Sequence, residues 1–163
     1  MAAGRTHDII NLSLLPVAVY YLQPESFSGF VGGYLVGTFF LSPDNDIYHS
    51  KPNRRWKLLR FIWLPYTKIF SHRGVSHLPV VGSVLKILYL LILFLLLLSI
   101  LAGVLYFSKP DLLNSIDIPQ QQLMFYIKHP FTVSFLIGLI LSEIVHIITD
   151  MIYSTAKKFK LIR

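Results

Sequence analysis

The sequence of 163 residues contains no cysteine and few charged residues. Without cysteine, the chain forms no disulfide and offers no thiolate to a metal ion or to a catalytic step. Charged residues make up 14% of the sequence and hydrophobic residues 54%. This composition is too apolar for an ordinary soluble domain and is typical of an integral membrane protein, so membrane lipids are expected as partners.

Acidic residues are also scarce, with 8 Asp and Glu against 15 Lys and Arg and a formal net charge of +7. A basic balance can indicate nucleic-acid binding. Here, however, the Lys and Arg residues lie between apolar runs, which is the pattern of membrane topology. We therefore expect no nucleic-acid partner. The sequence shows no internal repeat or low-complexity linker, and we predict a single integral membrane domain over residues 1–163.

Four apolar runs predict an all-α, multi-pass membrane protein with about four transmembrane helices. The predicted spans are residues 9–22, 27–41, 80–107 and 131–153. The first two are shorter than the roughly 20 residues of a straight span, so tilted or partly re-entrant helices also fit them. Gly29, Gly33 and Gly37, at four-residue spacing in the second run, would let a neighbouring helix approach closely.

Between the second and third runs, residues 43–78 are rich in basic and aromatic side chains, which predicts an amphipathic segment in the lipid headgroup region. By the positive-inside rule, this segment and the basic C-terminal residues face the cytoplasm. Four spans then place both termini in the cytoplasm, and we predict a multi-pass protein of the inner, cytoplasmic membrane. Lys86, near the start of the third run, is expected to extend its amine toward the headgroups.

Ionisable residues stand in the second half of the fourth run, where they are costly and mark interior or functional positions. Glu143, His146 and Asp150 fall within about 60° of one another on a helix. His146 and Asp150, four residues apart, can direct an imidazole nitrogen and a carboxylate oxygen toward one point. There they either bind one cation or form a buried hydrogen bond that fixes helix packing, and this helix alone leaves both interpretations open.

Three further groups of ionisable residues lie at ends of the apolar runs. They are His7 with Asp8, Asp44 with Asp46, and His72 with His77. In the predicted topology all three reach the cytoplasmic end of the membrane, together with His146 and Asp150. The convergence of four sequence-distant groups favours a shared metal site over independent packing contacts. His49 and His129 lie outside this pattern and are interpreted as surface residues.

The candidate ligands outnumber the four that one tetrahedral zinc ion needs, so we expect one or two divalent ions. Imidazole and carboxylate ligands suit Zn, Mn or Fe; we place Zn first, although the sequence does not decide the metal. Glu143, deeper in the same helix stripe, is a candidate general base or a residue that orients a ligand. Arg73, between two histidines, is a candidate clamp for phosphate or carboxylate.

These residues resemble the motif series of the YdjM-like membrane-bound metal-dependent hydrolases, most closely the branch known only as metal-binding proteins. The resemblance rests on residues 4–8 (Gly-Arg-Thr-His-Asp), 42–46 (Ser-Pro-Asp-Asn-Asp), 72–77 (His-Arg-Gly-Val-Ser-His) and 146–150 (His-Ile-Ile-Thr-Asp). It implies a small multi-span helical protein with a hydrolase activity and a His/Asp metal site. The implied ligands are His7, Asp44, Asp46, His72, His77, His146 and Asp150. Where that family often has a histidine directly after Asp-x-Asp, this chain has Ile47, with His49 two residues later.

The resulting hypothesis is a metal-dependent hydrolase that acts at the cytoplasmic membrane surface on a phosphoester or lipid-like substrate. Bound metal would activate a water molecule, and Asp8, Glu143 or a carboxylate of the Asp-x-Asp pair would accept its proton. Arg73 would stabilise the developing charge. The alternative is a non-catalytic metal-binding membrane protein with a sensor, structural or transport role. Polar residues are sparse in the outer halves of the runs, which disfavours transport. The sequence leaves the oligomeric state open.

Overall fold

The structure, a computed structural model, describes residues 4–70, 74–109, 111 and 119–159. Within these ranges every regular element is helical, which confirms the all-α prediction for the described chain. The α-helices are α1 (Gly4–Leu22), α2 (Phe27–Phe39), α3 (Lys51–Arg55), α4 (Trp63–Ile69), α5 (Val81–Ser108), α6 (Gln120–Lys128) and α7 (Pro130–Lys158). Short 3-10 turns occupy Pro43–Asp46, Lys57–Ile62 and Val75–His77.

Helices α2 and α7 pack closely because glycines leave room between them. A methyl group on Gly29 would overlap the backbone carbonyl of Phe131 in α7, and one on Gly33 would overlap that of Phe135. The close helix approach predicted from the glycine spacing is therefore confirmed. Both contacts advance in the same chain direction, so the two helices are parallel.

Helix α1 runs antiparallel to α7 on the same bundle. His7, near the start of α1, lies beside Asp150 in the second half of α7. Leu22, at the end of α1, shares a cavity wall with Val133 in the first turn of α7. Helices α1, α2 and α7 thus form a three-helix group, and α1 and α7 bring residues from opposite ends of the chain to one level.

A small aromatic core holds the segment between α2 and α5. Trp63 and Tyr66 of α4 are fully buried and pack against each other edge to face, with ring centroids 5.4 Å apart. Tyr89 of α5 joins this cluster, as does Leu41. Part of the predicted interfacial segment therefore turns its aromatic side chains into the protein. The location of this segment in the headgroup region stays a prediction.

Two helices of the described chain, α5 and α7, are long and apolar enough to cross a membrane. Their 28 and 29 residues correspond to about 42–44 Å of helix, against a hydrocarbon thickness of about 30 Å. Four spans are not supported. Helix α2 has 13 residues, about 20 Å, because Ser42 and Pro43 begin the next turn soon after it, and α1 carries Arg5 and Asp8 in its first turns. The cytoplasmic location of both termini stays a prediction.

Helix α5 is buried only in its first turns and exposes apolar side chains over most of its remaining length. Lys86 departs from its prediction. Instead of extending toward the headgroups it is 0% exposed, with its amine 2.7 Å from Oε1 of Glu143. The carboxylate at the same depth in α7 offers this cation a partner inside the protein. The exposed remainder of α5 needs another apolar environment, as a lipid bilayer provides.

Candidate metal centre

Four sequence-distant segments converge on the second half of α7. They contribute His7 from α1, Asp44 and Asp46 from the turn Pro43–Asp46, His77 from the turn Val75–His77, and His146 and Asp150 from α7. Their side chains form two donor groups, in each of which the nitrogen and oxygen atoms lie within 4.8 Å of one another. The first donor group is His7, His146 and Asp150, and the second is Asp44, His77 and Asp150. Asp150 belongs to both.

The first donor group joins α1 to α7. The rings of His7 and His146 are stacked, with centroids 3.8 Å apart and planes 10° apart. His7 Nε2 lies 3.2 Å from Asp150 Oδ1, yet the two are not aligned as a hydrogen bond. Nε2 of His146 is likewise buried without a hydrogen bond to the described residues. Buried nitrogens that converge without bonding one another are the arrangement expected of ligands that share a cation.

In the second donor group, the carboxylate of Asp44 stands between two imidazoles. Its Oδ1 lies 3.6 Å from His146 Nε2 and 3.8 Å from His77 Nε2, and it is buried without a hydrogen bond to the described residues. The other nitrogen of the His77 ring, Nδ1, lies 3.2 Å from Asp46 Oδ2. Asp46 thereby orients the ring of His77 so that Nε2 faces Asp44.

Ser42 positions both the Asp-x-Asp turn and His146. Its hydroxyl accepts from the backbone N–H of Asp44 at 3.5 Å and so caps the turn, which Pro43 begins with no N–H to satisfy. The same hydroxyl lies 3.3 Å from His146 Nδ1. With Nδ1 engaged in this way, Nε2 is the nitrogen that His146 presents to the donor groups.

A buried amide pair fixes the turn Pro43–Asp46 from its other side. The side-chain amide of Asn45 donates to Asn53 Oδ1 at 2.7 Å and to the carbonyl of Phe40 at 3.0 Å. Asn53 in turn donates to the carbonyls of Asn45 and Ile47, each at 3.0 Å. The sequence interpretation missed this pair because asparagine is common in turns, and spacing does not show that two such residues meet.

The carboxylates and imidazoles shift one another's protonation. Burial alone would lower the pKa of His77, but the neighbouring carboxylates of Asp44 and Asp46 outweigh it and raise the pKa to about 9. Burial alone would raise the pKa of Asp44, but His146 and His77 outweigh it and hold the pKa well below its usual range. Without a cation, His77 therefore carries a proton at neutral pH. A metal ion would take the place of that proton.

Asp8, a predicted proton acceptor, is held by two cations. Arg55 donates to its Oδ2 at 2.6 Å, and Lys51 binds the same oxygen. Burial alone would raise the pKa of Asp8, but these two partners outweigh it and lower the pKa. Asp8 is therefore engaged in two ion pairs, and its catalytic role stays a prediction.

Glu143, the other predicted acceptor, lies about two turns deeper in α7 than Asp150. Both of its carboxylate oxygens are engaged, one by the amine of Lys86 at 2.7 Å and the other by the hydroxyl of Ser83. The structure thus shows Glu143 in a buried ion pair between α5 and α7, while its catalytic role stays a prediction. The sequence shows a lysine in one apolar run and a glutamate in another, which favours an ion pair between them. It does not show that the two residues lie at the same depth in the helix bundle.

His72 and Arg73 lie outside the described residues, so their predicted roles as ligand and anion clamp stay predictions. The two histidines interpreted as surface residues are both exposed, as expected. His49 contacts Arg60 at 2.8 Å, and His129 caps α7 by accepting from the N–H of Phe131 at 3.2 Å.

Two cavities border the donor groups. The smaller, about 10 Å³, is lined in part by His7, Asp44 and His146 and has room for about one water molecule. The larger, about 350 Å³, is lined by His77, Ile147, Asp150, Met151, Ser154 and Thr155. The centre therefore has an ion-sized space on one of its borders and a ligand-sized space on another.

The side chains fit a divalent cation. Nε2 of His146 and Oδ1 of Asp44 are buried polar atoms that lack hydrogen bonds among the described residues, and a cation at each donor group would satisfy both. Nitrogen and carboxylate donors without thiolates suit Zn, Mn or Fe. The fold and the donor groups together define a helical metal-binding protein with two helices able to cross a membrane.

Comparison with known proteins agrees with this class. The chain belongs to the family of uncharacterised metal-binding proteins DUF2227, whose sequence profile matches residues 2–160. It is also 41% identical over 130 residues to an uncharacterised protein of Aquifex aeolicus (strain VF5), an alignment that covers 78% of this chain and 91% of that protein. No solved structure matches the chain. The expected kinship with metal-binding proteins is confirmed, whereas membership of the YdjM-like hydrolases is not.

Proposed function

We propose that the protein is a metal-dependent hydrolase that acts at the cytoplasmic membrane surface through two divalent ions bridged by Asp150. The observation that carries this proposal is that Asp150 belongs to both donor groups. A carboxylate has two oxygens, so one residue can serve an ion in each group. Such paired ions would supply an activated water and an electrophilic clamp for a phosphoester.

The residues divide into ligands and supports. His7 and His146 would hold one ion together with Asp150, and Asp44 and His77 would hold the other with the same bridging residue. Asp46 would orient His77 through its contact with Nδ1. Zn, Mn and Fe all suit these ligands.

The Asp-x-Asp pair is the best-placed proton acceptor among the predicted carboxylates. Asp44 is a member of the second donor group and Asp46 contacts His77, whereas Asp8 and Glu143 belong to neither donor group. Proton transfer requires the acceptor within hydrogen-bond reach of the attacking water. We therefore assign this role to the pair and not to Asp8 or Glu143.

The position of the centre along α7 supports action near a membrane surface. Asp150 stands eight residues before the end of the helix at Lys158, about 12 Å along its axis. Lys157 and Lys158 close the helix with positive charge, as expected where a spanning helix leaves the membrane on its cytoplasmic side. A centre at this depth would meet substrates at the level of lipid headgroups.

The proposal is tested by the metal content of detergent-purified protein, measured by elemental mass spectrometry. We expect about two Zn, Mn or Fe ions per chain and their loss in the variant His146→Ala, Asp150→Ala. The matched variant His49→Ala, His129→Ala removes two exposed histidines and should keep the metal. A wild type that stays metal-free after reconstitution would refute the metal centre. Phosphate release from p-nitrophenyl phosphate no faster than with the first variant would refute the hydrolase.

A structural metal site is the second candidate, and burial favours it. His7 is 3% exposed, His146 4% and Asp150 7%, which is typical of a closed site. Cobalt substitution separates the two functions. If added inorganic phosphate changes the visible spectrum of the cobalt protein, a coordination position is open, as hydrolysis requires; an unchanged spectrum favours the structural role.

A further inference from the structure

One side of α7 carries apolar, metal-binding and hydroxyl side chains in sequence along the helix. Ile147, Asp150 and Ser154 are spaced three and four residues apart and lie on the same side, with Thr155 at its edge. All four line the larger cavity. Lys158 continues this side at the end of the helix and is exposed.

The larger cavity offers a ligand both space and access to the donor groups. Its volume of about 350 Å³ falls within the roughly 300–1,000 Å³ of small-molecule sites. His77 and Asp150, two of the three members of the second donor group, form part of its wall. Cavities of about 250 and 170 Å³ elsewhere in the described structure touch none of the donor residues.

We propose that this cavity binds the phosphate ester of an amphiphile, which lies along α7 with its phosphate at the donor groups. Its apolar chain would contact Ile147 and Met151, and the free oxygens of its phosphate would face Ser154 and Thr155. This inference rests on the proposed hydrolase function and names the substrate class that the hydrolase would take.

The polarity of the cavity wall determines the orientation of the amphiphile. Ile147 lies toward the middle of α7, and Ser154, Thr155 and then Lys158 lie toward its end. If α7 crosses the membrane, this order runs from hydrocarbon to headgroups. An amphiphile in the same leaflet has the same order, so it could enter without inverting.

The reaction at this position is hydrolysis of the phosphate ester. The oxygen of a water molecule bonds to phosphorus, and the bond between phosphorus and the alkoxy oxygen breaks. The departing alcohol takes up the proton that the water gives up, by way of the Asp-x-Asp pair. Inorganic phosphate and the alcohol are the products.

The test is the binding of n-alkylphosphonates, whose carbon–phosphorus bond resists hydrolysis, to the metal-loaded protein at constant detergent concentration. Calorimetry with methyl- to pentylphosphonate should show Kd falling about fourfold for each added methylene that the cavity buries. Ile147→Trp and Met151→Trp each place an indole where the chain would lie. Both should abolish most of this dependence on chain length while leaving methylphosphonate binding and metal content unchanged.

Ile148→Trp is the matched control, because Ile148 faces a different cavity, against α1, and should keep the wild-type dependence on chain length. An equal dependence in all the variants would mean that the chain enters detergent instead, and would overturn the inference. So would a wild type that binds every phosphonate equally or none of them. A further outcome is that octyl phosphate binds, more weakly in Ile147→Trp and Met151→Trp but not in Ile148→Trp, without being hydrolysed. That outcome would refute the hydrolase function and support the binding site.

Discussion

Asp150 is the residue on which both donor groups depend. Its Oδ1 lies 3.2 Å from Nε2 of His7, and the residue also belongs to the group of Asp44 and His77. Replacing Asp150 by Asn keeps its shape but removes its charge. We expect Asp150→Asn to lose about two ions per chain and His7→Gln about one. Elemental mass spectrometry after dialysis against the same metal buffer measures the number of ions per chain in each variant. Equal losses in the two variants would contradict a bridging carboxylate.

His77 makes metal binding depend on pH. Its pKa is raised to about 9, so below that pH a metal ion must displace a proton from the imidazole. Affinity for the ion held by His77 should therefore rise about tenfold per pH unit and level off above about pH 9. Competition with a chelator across neutral pH measures this slope. The same slope in His77→Ala would show that another group releases the proton.

Lys86 and Glu143 should contribute to stability as a pair and not separately. Glu143→Gln leaves the fully buried amine of Lys86 without its counter-ion and should cost about 3–5 kcal/mol. The double variant Lys86→Met, Glu143→Leu removes both charges and should recover most of that loss. Thermal unfolding in one detergent compares them, with Lys157→Met at an exposed position as control. A stable single variant would contradict the pairing.

At the residue scale, the sequence predicted which donor side chains come together. It did not predict the hydrogen bonds that fix their positions. His7, Asp44, His146 and Asp150 were placed together from their positions at helix ends, and the structure brings them together. The supports were missed because hydroxyl and amide contacts such as those of Ser42 depend on side-chain directions that spacing does not encode.

Among the elements, the α2–α7 contact depends on glycines at particular positions. Gly33→Ala would push a methyl group into the carbonyl of Phe135, and we expect it to cost about 1–3 kcal/mol. Gly32→Ala, one residue earlier, meets only the ring of Phe135 at 3.8 Å and should be neutral or stabilising, since alanine favours helix. Melting temperatures of the two variants test this, and equal destabilisation would contradict the packing.

The hydrophobic runs predicted where the long helices lie. They did not always predict the residues at which those helices begin and end. The run 80–107 became α5 (Val81–Ser108) almost unchanged, because apolarity alone defines it. The run 9–22 became a helix that begins at Gly4, since His7 and Asn11 on one side of its first turns are buried against the protein. Tertiary contact therefore decided which parts of α1 are helical.

The whole molecule combines a compact donor cluster with a long apolar helix that the described chain does not cover. We expect the protein to stay with membranes after an alkaline carbonate wash and to be released by detergent. Leu95→Lys, in the exposed middle of α5, should reduce the membrane-bound fraction, because a lysine at the centre of a span costs about 2.5–3.5 kcal/mol.

Ser108→Lys, at the end of α5, is the matched control and should leave fractionation unchanged. Recovery of the wild type in the wash would show that α5 is not embedded in lipid. Four spans were predicted from four apolar runs, and the described residues contain two candidate spans. Run length cannot distinguish a helix that crosses alone from one that lies against a longer neighbour.

The donor groups draw on both ends of the chain, and this affects how the protein is made. His7, Asp44 and His77 leave the ribosome early, but His146 and Asp150 follow about 70 residues later. At roughly 5–20 residues per second, the nascent chain spends about 4–15 s with an incomplete set of ligands. The ions can bind their full set of ligands only after α7 has packed against the other helices. Metal acquisition would therefore follow synthesis and report that folding is complete.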